Sequence, residues 1–257
     1  MKVKLLVLFL FASAIFISSC KKNDSNPASA NQNVTADKFY PGGVGSKFSY
    51  SDNQASGIRI MTFISPRTFG STSYTGQQNI SYVGLDTVST VSYFRRTESG
   101  VFFYVDTTGL INYFPDTLRS VLALKVDNEI NVFTTATDKD WTAFKMDMVY
   151  GPIVLNIMTV TASYKGTENV QLQLKSGQTT KPARNIEYTF KLTIPNLQNI
   201  QSPYTSSFKA NVWWAQDIGI IKVQGNGAVI GAINGTSIDL ADTTRTINQS
   251  LTDYSLK

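Results

Sequence analysis

One thiol, no imidazole and a scatter of carboxylates bound the chemistry open to this chain. Cys20 is the sole cysteine and histidine is absent from all 257 residues. Without His there is no Ser-His-Asp or Cys-His relay, no imidazole zinc site and no side chain whose ordinary pKa lies near neutrality. Ser206 and Lys209 have the spacing by which a lysine activates a serine on a helix. On a strand, however, positions three apart point to opposite faces. Gly225, Gly227 and Gly231 have the outline of a dinucleotide loop, which needs a helix after its glycine turn. Residues 228–233 are instead read as a short strand, with Asn226-Gly227 and Asn234-Gly235 as hairpin turns. No cofactor is expected.

Asp138 and Asp140, with Asp147 nearby, are weak candidates for a cation, because the glycine and distant glutamate of a calcium loop are missing. A glycosidase needs two carboxyl groups about 5–9.5 Å apart, and no such pair can be read from spacing alone. Trp213-Trp214 is the most informative pair. Adjacent strand residues face opposite sides. Phe208, Val212 and Trp214 share the face expected to enter the core, which leaves Trp213 to face outward and makes the pair the candidate contact for a ligand, sugar or partner.

These groups must be positioned by elements the sequence also indicates. Lys2 and Lys4 precede an apolar run over residues 5–17, broken only by Ser13, and Ser18-Ser19 lead directly to Cys20. That pattern is a signal peptide covering residues 1–19, and it is shorter than the roughly 20 apolar residues a spanning helix needs. Ile17-Ser18-Ser19-Cys20 resembles a bacterial lipobox, whose thiol accepts diacylglycerol. Lipidation gives the unpaired cysteine a use, since an exported chain with disulfides carries an even count. Residues 20–37, rich in Asn, Ser, Ala and Lys, read as a flexible tether spanning about 20–25 Å.

Residues 38–257 are read as one β-rich domain. Val-, Ile-, Thr-, Tyr- and Phe-rich segments separated by Gly, Asn, Asp and Pro predict strands at 47–51, 58–65, 79–83, 91–96, 101–106, 121–126, 129–134, 158–165, 168–174, 184–194, 207–216, 218–224, 228–233, 237–240 and 251–256. Residues 135–151 are expected to be an irregular connection with at most a short helical turn. The fold class is all-β and mostly antiparallel, a curved sheet, half-barrel or sandwich with little helix. The formal charge of +5 includes Lys2 and Lys4, so the mature excess is mild, and no basic stripe interleaved with aromatics indicates nucleic acid.

Phe39-Tyr40-Pro41, with Gly45 to Tyr50, and the run from Trp213 to Lys222 are similar to segments of uncharacterised β-rich lipoproteins of the Bacteroidetes type. The resemblance covers under a tenth of the chain. It implies a curved antiparallel sheet and an outer-membrane location, with Lys21, Lys22, Asn23 and Asp24 a partial match to a surface-display signal, so that the membrane face stays open. It also implies O-glycosylation at Asp-Thr-apolar sites, which makes Thr87 and Thr117 candidates. No activity travels with it. The expectation is a lipid-anchored envelope protein that is not an enzyme and binds a ligand or partner. Surface glycan binding or processing, or a structural place in an envelope assembly, are the alternatives.

Overall fold

A computed structural model describes residues 35–257 apart from 53–56, 84–85, 109–110, 112–115, 120–121, 195–202 and 234–243. Cys20, the expected leader and most of the expected tether lie outside the described residues. So do the Asn234-Gly235 turn and the strand expected at 237–240.

The strands are β1 (Lys47–Asp52), β2 (Ile58–Phe69), β3 (Thr72–Val83), β4 (Asp86–Arg96), β5 (Gly100–Tyr104), β6 (Leu122–Val126), β7 (Glu129–Thr134), β8 (Trp141–Tyr150), β9 (Ile153–Leu174), β10 (Gly177–Ile194), β11 (Tyr204–Ala215), β12 (Gly219–Asn226) and β13 (Thr246–Ser255). All belong to one open antiparallel sheet ordered β6-β8-β9-β10-β11-β12-β13-β1-β2-β3-β4-β5-β7. This is the all-β antiparallel class that alternation predicts, realised as a single sheet closed into neither a barrel nor a sandwich.

Alternation selects the inner face. Phe48 and Tyr50 on β1, Met61 and Phe63 on β2, Ile186, Tyr188 and Phe190 on β10, and Ala210, Val212 and Trp214 on β11 are all buried. Each large side chain withdrawn from water contributes roughly 1.5–3 kcal/mol. The chain entering the sheet fills its centre. A 3-10 turn at Ala36–Lys38 docks through Ala36 N–H to the Glu98 carbonyl, and the Asp217 N–H bonds back to the Lys38 carbonyl. This seats Tyr40 against Phe63, Phe94, Phe103 and Trp214, with ring centroids 4.9–6.2 Å apart.

β6 and β7 are the two outermost strands of the order, yet they are consecutive in sequence. Only Asp127-Asn128 joins them, so Val126 and Glu129 lie within about 11 Å of each other. The sheet therefore curls until its edges meet at a seam. Side chains cap the β7 edge, which would otherwise present bare carbonyls: Trp141 Nε1–H donates to the Asn131 carbonyl at 2.9 Å and the Tyr188 hydroxyl to the Val132 carbonyl.

Three sequence expectations are corrected. Residues 141–150 form strand β8 rather than an irregular connection. Register shifts at Thr142/Phe144 and Met146/Asp147 break the period of two on which recognition of a strand depends. The strands expected at 158–165 and 168–174 are one, β9, whose bulge opposite Asn185/Ile186 is accommodated by Gly166 at φ +120°. The Asn226-Gly227 hairpin is absent: residues 227–233 form helix α2 (Gly227–Ile233). Asn226 caps it, its Oδ1 accepting from the Ala228 N–H at 3.0 Å, as an N-cap does. Gly225 is needed here for close approach to a neighbouring strand, because a Cβ would stand 2.5 Å from the Ala210 Cα.

A candidate ligand cleft at the seam

β4, β5 and β7 carry aromatic and charged side chains on both faces. Phe94 and Phe103 point into the core, and Tyr93, Arg95, Phe102, Tyr104 and Glu129 point the other way. The β2–β3 hairpin, tipped by Gly70 at φ +59°, brings Phe69 and Tyr74 to the same outer surface. β6, β8 and the Asp127-Asn128 link close the far side across the seam. Together they enclose an open cleft of about 760 Å³, lined by Phe69, Tyr74, Arg95, Phe102, Tyr104 and Glu129 among others.

Tyr104 stacks on Phe69 with centroids 3.9 Å apart at 11°, while Tyr74 meets Tyr104 edge-on at 5.5 Å. The Arg95 guanidinium lies 4.5 Å from the centre of the Phe102 ring, and Arg67 lies 4.9 Å from that of Phe69. Arg95 also donates to both carboxylate oxygens of Glu129, through Nε at 2.5 Å and Nη2 at 2.6 Å. The Tyr74 hydroxyl adds a third bond at 2.6 Å. Side chains of the pair are 29% and 25% exposed, so the bonds are shielded enough to fix the geometry. Hydrogen bonding to Arg95 holds the Glu129 carboxyl below its ordinary range. Burial, and then Glu129, raise the Tyr74 phenol. Glu129 is thus held ionised and directs the guanidinium, and it is poorly placed to deliver a proton as a glycosidase acid must. Asp127 also lines the cleft.

The sequence candidates lie elsewhere. Trp214 is 0% and Trp213 7% exposed, so the outward indole expected from alternation is not free. Trp213 does occupy the opposite face, but the β9–β10 hairpin beyond the Gly166 bulge lays Glu168 over it, and its Nε1–H donates to that carboxylate. Lys222 covers the ring at 4.5 Å. Asp138 and Asp140 are exposed between β7 and β8, and no cluster of three metal-ligating side chains occurs among the described residues. Asp147 is turned into a pair with Lys145 at 2.7 Å and Asn156 at 2.9 Å. Thr87 is exposed on β4, and Thr117 falls in helix α1 (Asp116–Arg119), with its side chain outside the description. The cleft itself was missed. Its one sequence signal is that residues 101–104 are apolar or aromatic on both faces of a strand, where one face would be expected to be polar.

No family model matches the chain, and no curated protein does. Among solved structures it is similar to a protein of Parabacteroides distasonis ATCC 8503 assigned as a lipoprotein, at 11% identity and TM-score 0.46, covering 84% of this chain and 98% of that one. It is also similar to a protein of Bacteroides fragilis NCTC 9343 assigned as exported, with a YmcC-like fold, at 11% identity and TM-score 0.44, covering 84% and 97%. Both likenesses are too distant to carry an argument about function.

Proposed function

We propose that this chain is a lipid-anchored protein of the cell envelope that binds a ligand in the seam cleft and performs no covalent chemistry on it. The anchor rests on Cys20 with its lipobox-like surroundings, and the outer membrane is the location the sequence favours. The binding role rests on one observation, the stacked, half-buried rings of Phe69 and Tyr104 beside a fixed Arg95–Glu129 pair. Flat apolar faces next to directed polar groups complement a molecule that alternates the two, as a pyranose ring does. Surface glycans are accordingly the ligand class proposed. Binding without turnover is favoured because both oxygens of Glu129 are already engaged.

A glycan array probed with the detergent-solubilised full chain tests this reading. Saturable retention of at least one glycan is expected, with a loss of tenfold or more in Tyr104→Ala. An array on which wild type retains nothing removes the glycan assignment. Retention unchanged in Tyr104→Ala removes the cleft. For the anchor, Cys20→Ala is expected to move the protein from the membrane to the soluble fraction, and a variant that still sediments with membranes overturns it.

A further inference from the structure

A second arginine has no acidic partner among the described residues. Arg59, on the inward face of β2, is 5% exposed. Its Nε–H donates to Gln249 Oε1 at 3.0 Å and its Nη1–H to Asn79 Oδ1 at 3.1 Å, and its guanidinium lies 4.2 Å from the centre of the Tyr50 ring. All of these partners are neutral. No carboxylate among the described residues pairs with it, and Nη2 is buried without a hydrogen-bond partner. Asn79, 1% exposed, leaves its Nδ2 buried and unpartnered as well. The amide cannot be turned over to relieve this, because Arg59 offers only donors and must meet the oxygen. Two buried donors, one on a full positive charge, thus sit on residues joined by the Nη1–Oδ1 bond and lack an acceptor.

A guanidinium withdrawn from water among neutral groups is costly, and with Nε and Nη1 engaged it keeps one arm, Nη2, to donate to an oxyanion. We propose that Arg59 and Asn79 form a buried site for a small oxyanion of carboxylate type, between β2 and β3 and bordered by Tyr50 of β1 and Gln249 of β13. The anion accepts from Arg59 Nη2 and Asn79 Nδ2 and neutralises the buried charge. This site lies on the inner face of the sheet and is independent of the seam cleft, which uses outward side chains.

The test titrates the ¹⁵N-labelled full chain in detergent with sodium acetate against sodium chloride at constant ionic strength, following the Arg59 and Asn79 side-chain N–H signals and the unfolding temperature. A saturable, acetate-specific shift of both signals with a rise in unfolding temperature is expected. Asn79→Asp sets a fixed carboxylate against Arg59, so it should unfold at higher temperature than wild type in chloride and lose the acetate response at least tenfold. Should that variant fail to fold, Gln249→Glu brings the carboxylate to Nε and carries the same expectation. A wild type that does not distinguish acetate from chloride overturns the proposal and leaves the donors to buried water. An acetate response that survives in the carboxylate variant overturns it too.

Discussion

Two aromatic clusters occupy opposite faces of β4 and β5. On the inner face, Phe94 and Phe103 join Tyr40, Phe63 and Trp214, all at 0–1% exposure. On the outer face, Tyr93, Phe102 and Tyr104 join Phe69 and Tyr74, and all but Tyr74 are half-buried. Ring spacings are alike, and what differs is the closure. The inner rings are covered on every side by the curled sheet and by the chain that enters it, so their burial stabilises the fold. The outer rings meet an open cleft, and their arrangement is fixed by arginines and by a carboxylate instead of by enclosure. Aromatic density alone therefore does not distinguish core from site. The distinction lies in how the polar neighbours are paired.

The comparison breaks first at the largest side chain. Trp214→Ala should cost about 3–5 kcal/mol in denaturant unfolding, as large-to-small changes in a packed core do, whereas Tyr104→Ala should cost on the order of 1 kcal/mol. Equal losses would show that the outer cluster is core as well. Next in size is the alkaline limb. Burial pushes the Tyr50 phenol up to about 12, and its hydroxyl donates to the Ile220 carbonyl at 3.0 Å. A phenol whose pKa is raised on folding stabilises fully below the unfolded value near 10 and loses that contribution as pH rises toward 12, on the order of 2–3 kcal/mol. Denaturant midpoints measured from pH 9 to 12 should fall more steeply in wild type than in Tyr50→Phe.

The smallest effect sharpens the outer cluster. Glu129→Ala removes the acceptor of Arg95 and Tyr74 and should cost about 1–2 kcal/mol. Because the Glu129 carboxyl is held low, its contribution is present above its unfolded pKa and lost as pH falls through the folded one. The stability gap between wild type and Glu129→Gln should therefore narrow on acidification from pH 7 into the range below about 4.5, read as converging urea midpoints. A gap that holds constant would mean that the ion pair contributes nothing to folding.

Much of the sheet was legible wherever strands alternate without interruption. β1, β7 and β12 were placed to within a residue or two and β11 to within three, because Phe48/Tyr50 and Ala210/Val212/Trp214 keep a period of two. β8 was not, since its two bulges give a burial pattern no simple alternation matches. α2 was hidden in a short apolar run that periodicity cannot assign, and its Asn-Gly start serves a helix cap as well as a hairpin. The cleft was illegible for a different reason. Its residues come from β2, β3, β4, β5 and β7 and face β6 and β8 only because the sheet curls, and curvature is not written in any one segment. Trp213 shows the converse: its face was read correctly, but the carboxylate that covers it, Glu168, lies 45 residues away in sequence.

The entry of the chain has a mechanical consequence. The segment that leads in from the amino-terminal side passes through Ala36 and Asp37 directly into Phe39 and Tyr40, the latter at the centre of the inner cluster. Tension applied ahead of Thr35 would be resisted first by the two backbone bonds at Ala36 and Lys38 and then by the packing of Tyr40 itself. A pull from the amino-terminal side thus loads the middle of the core instead of peeling an edge strand, and unfolding under such a load would require the centre to be drawn out first.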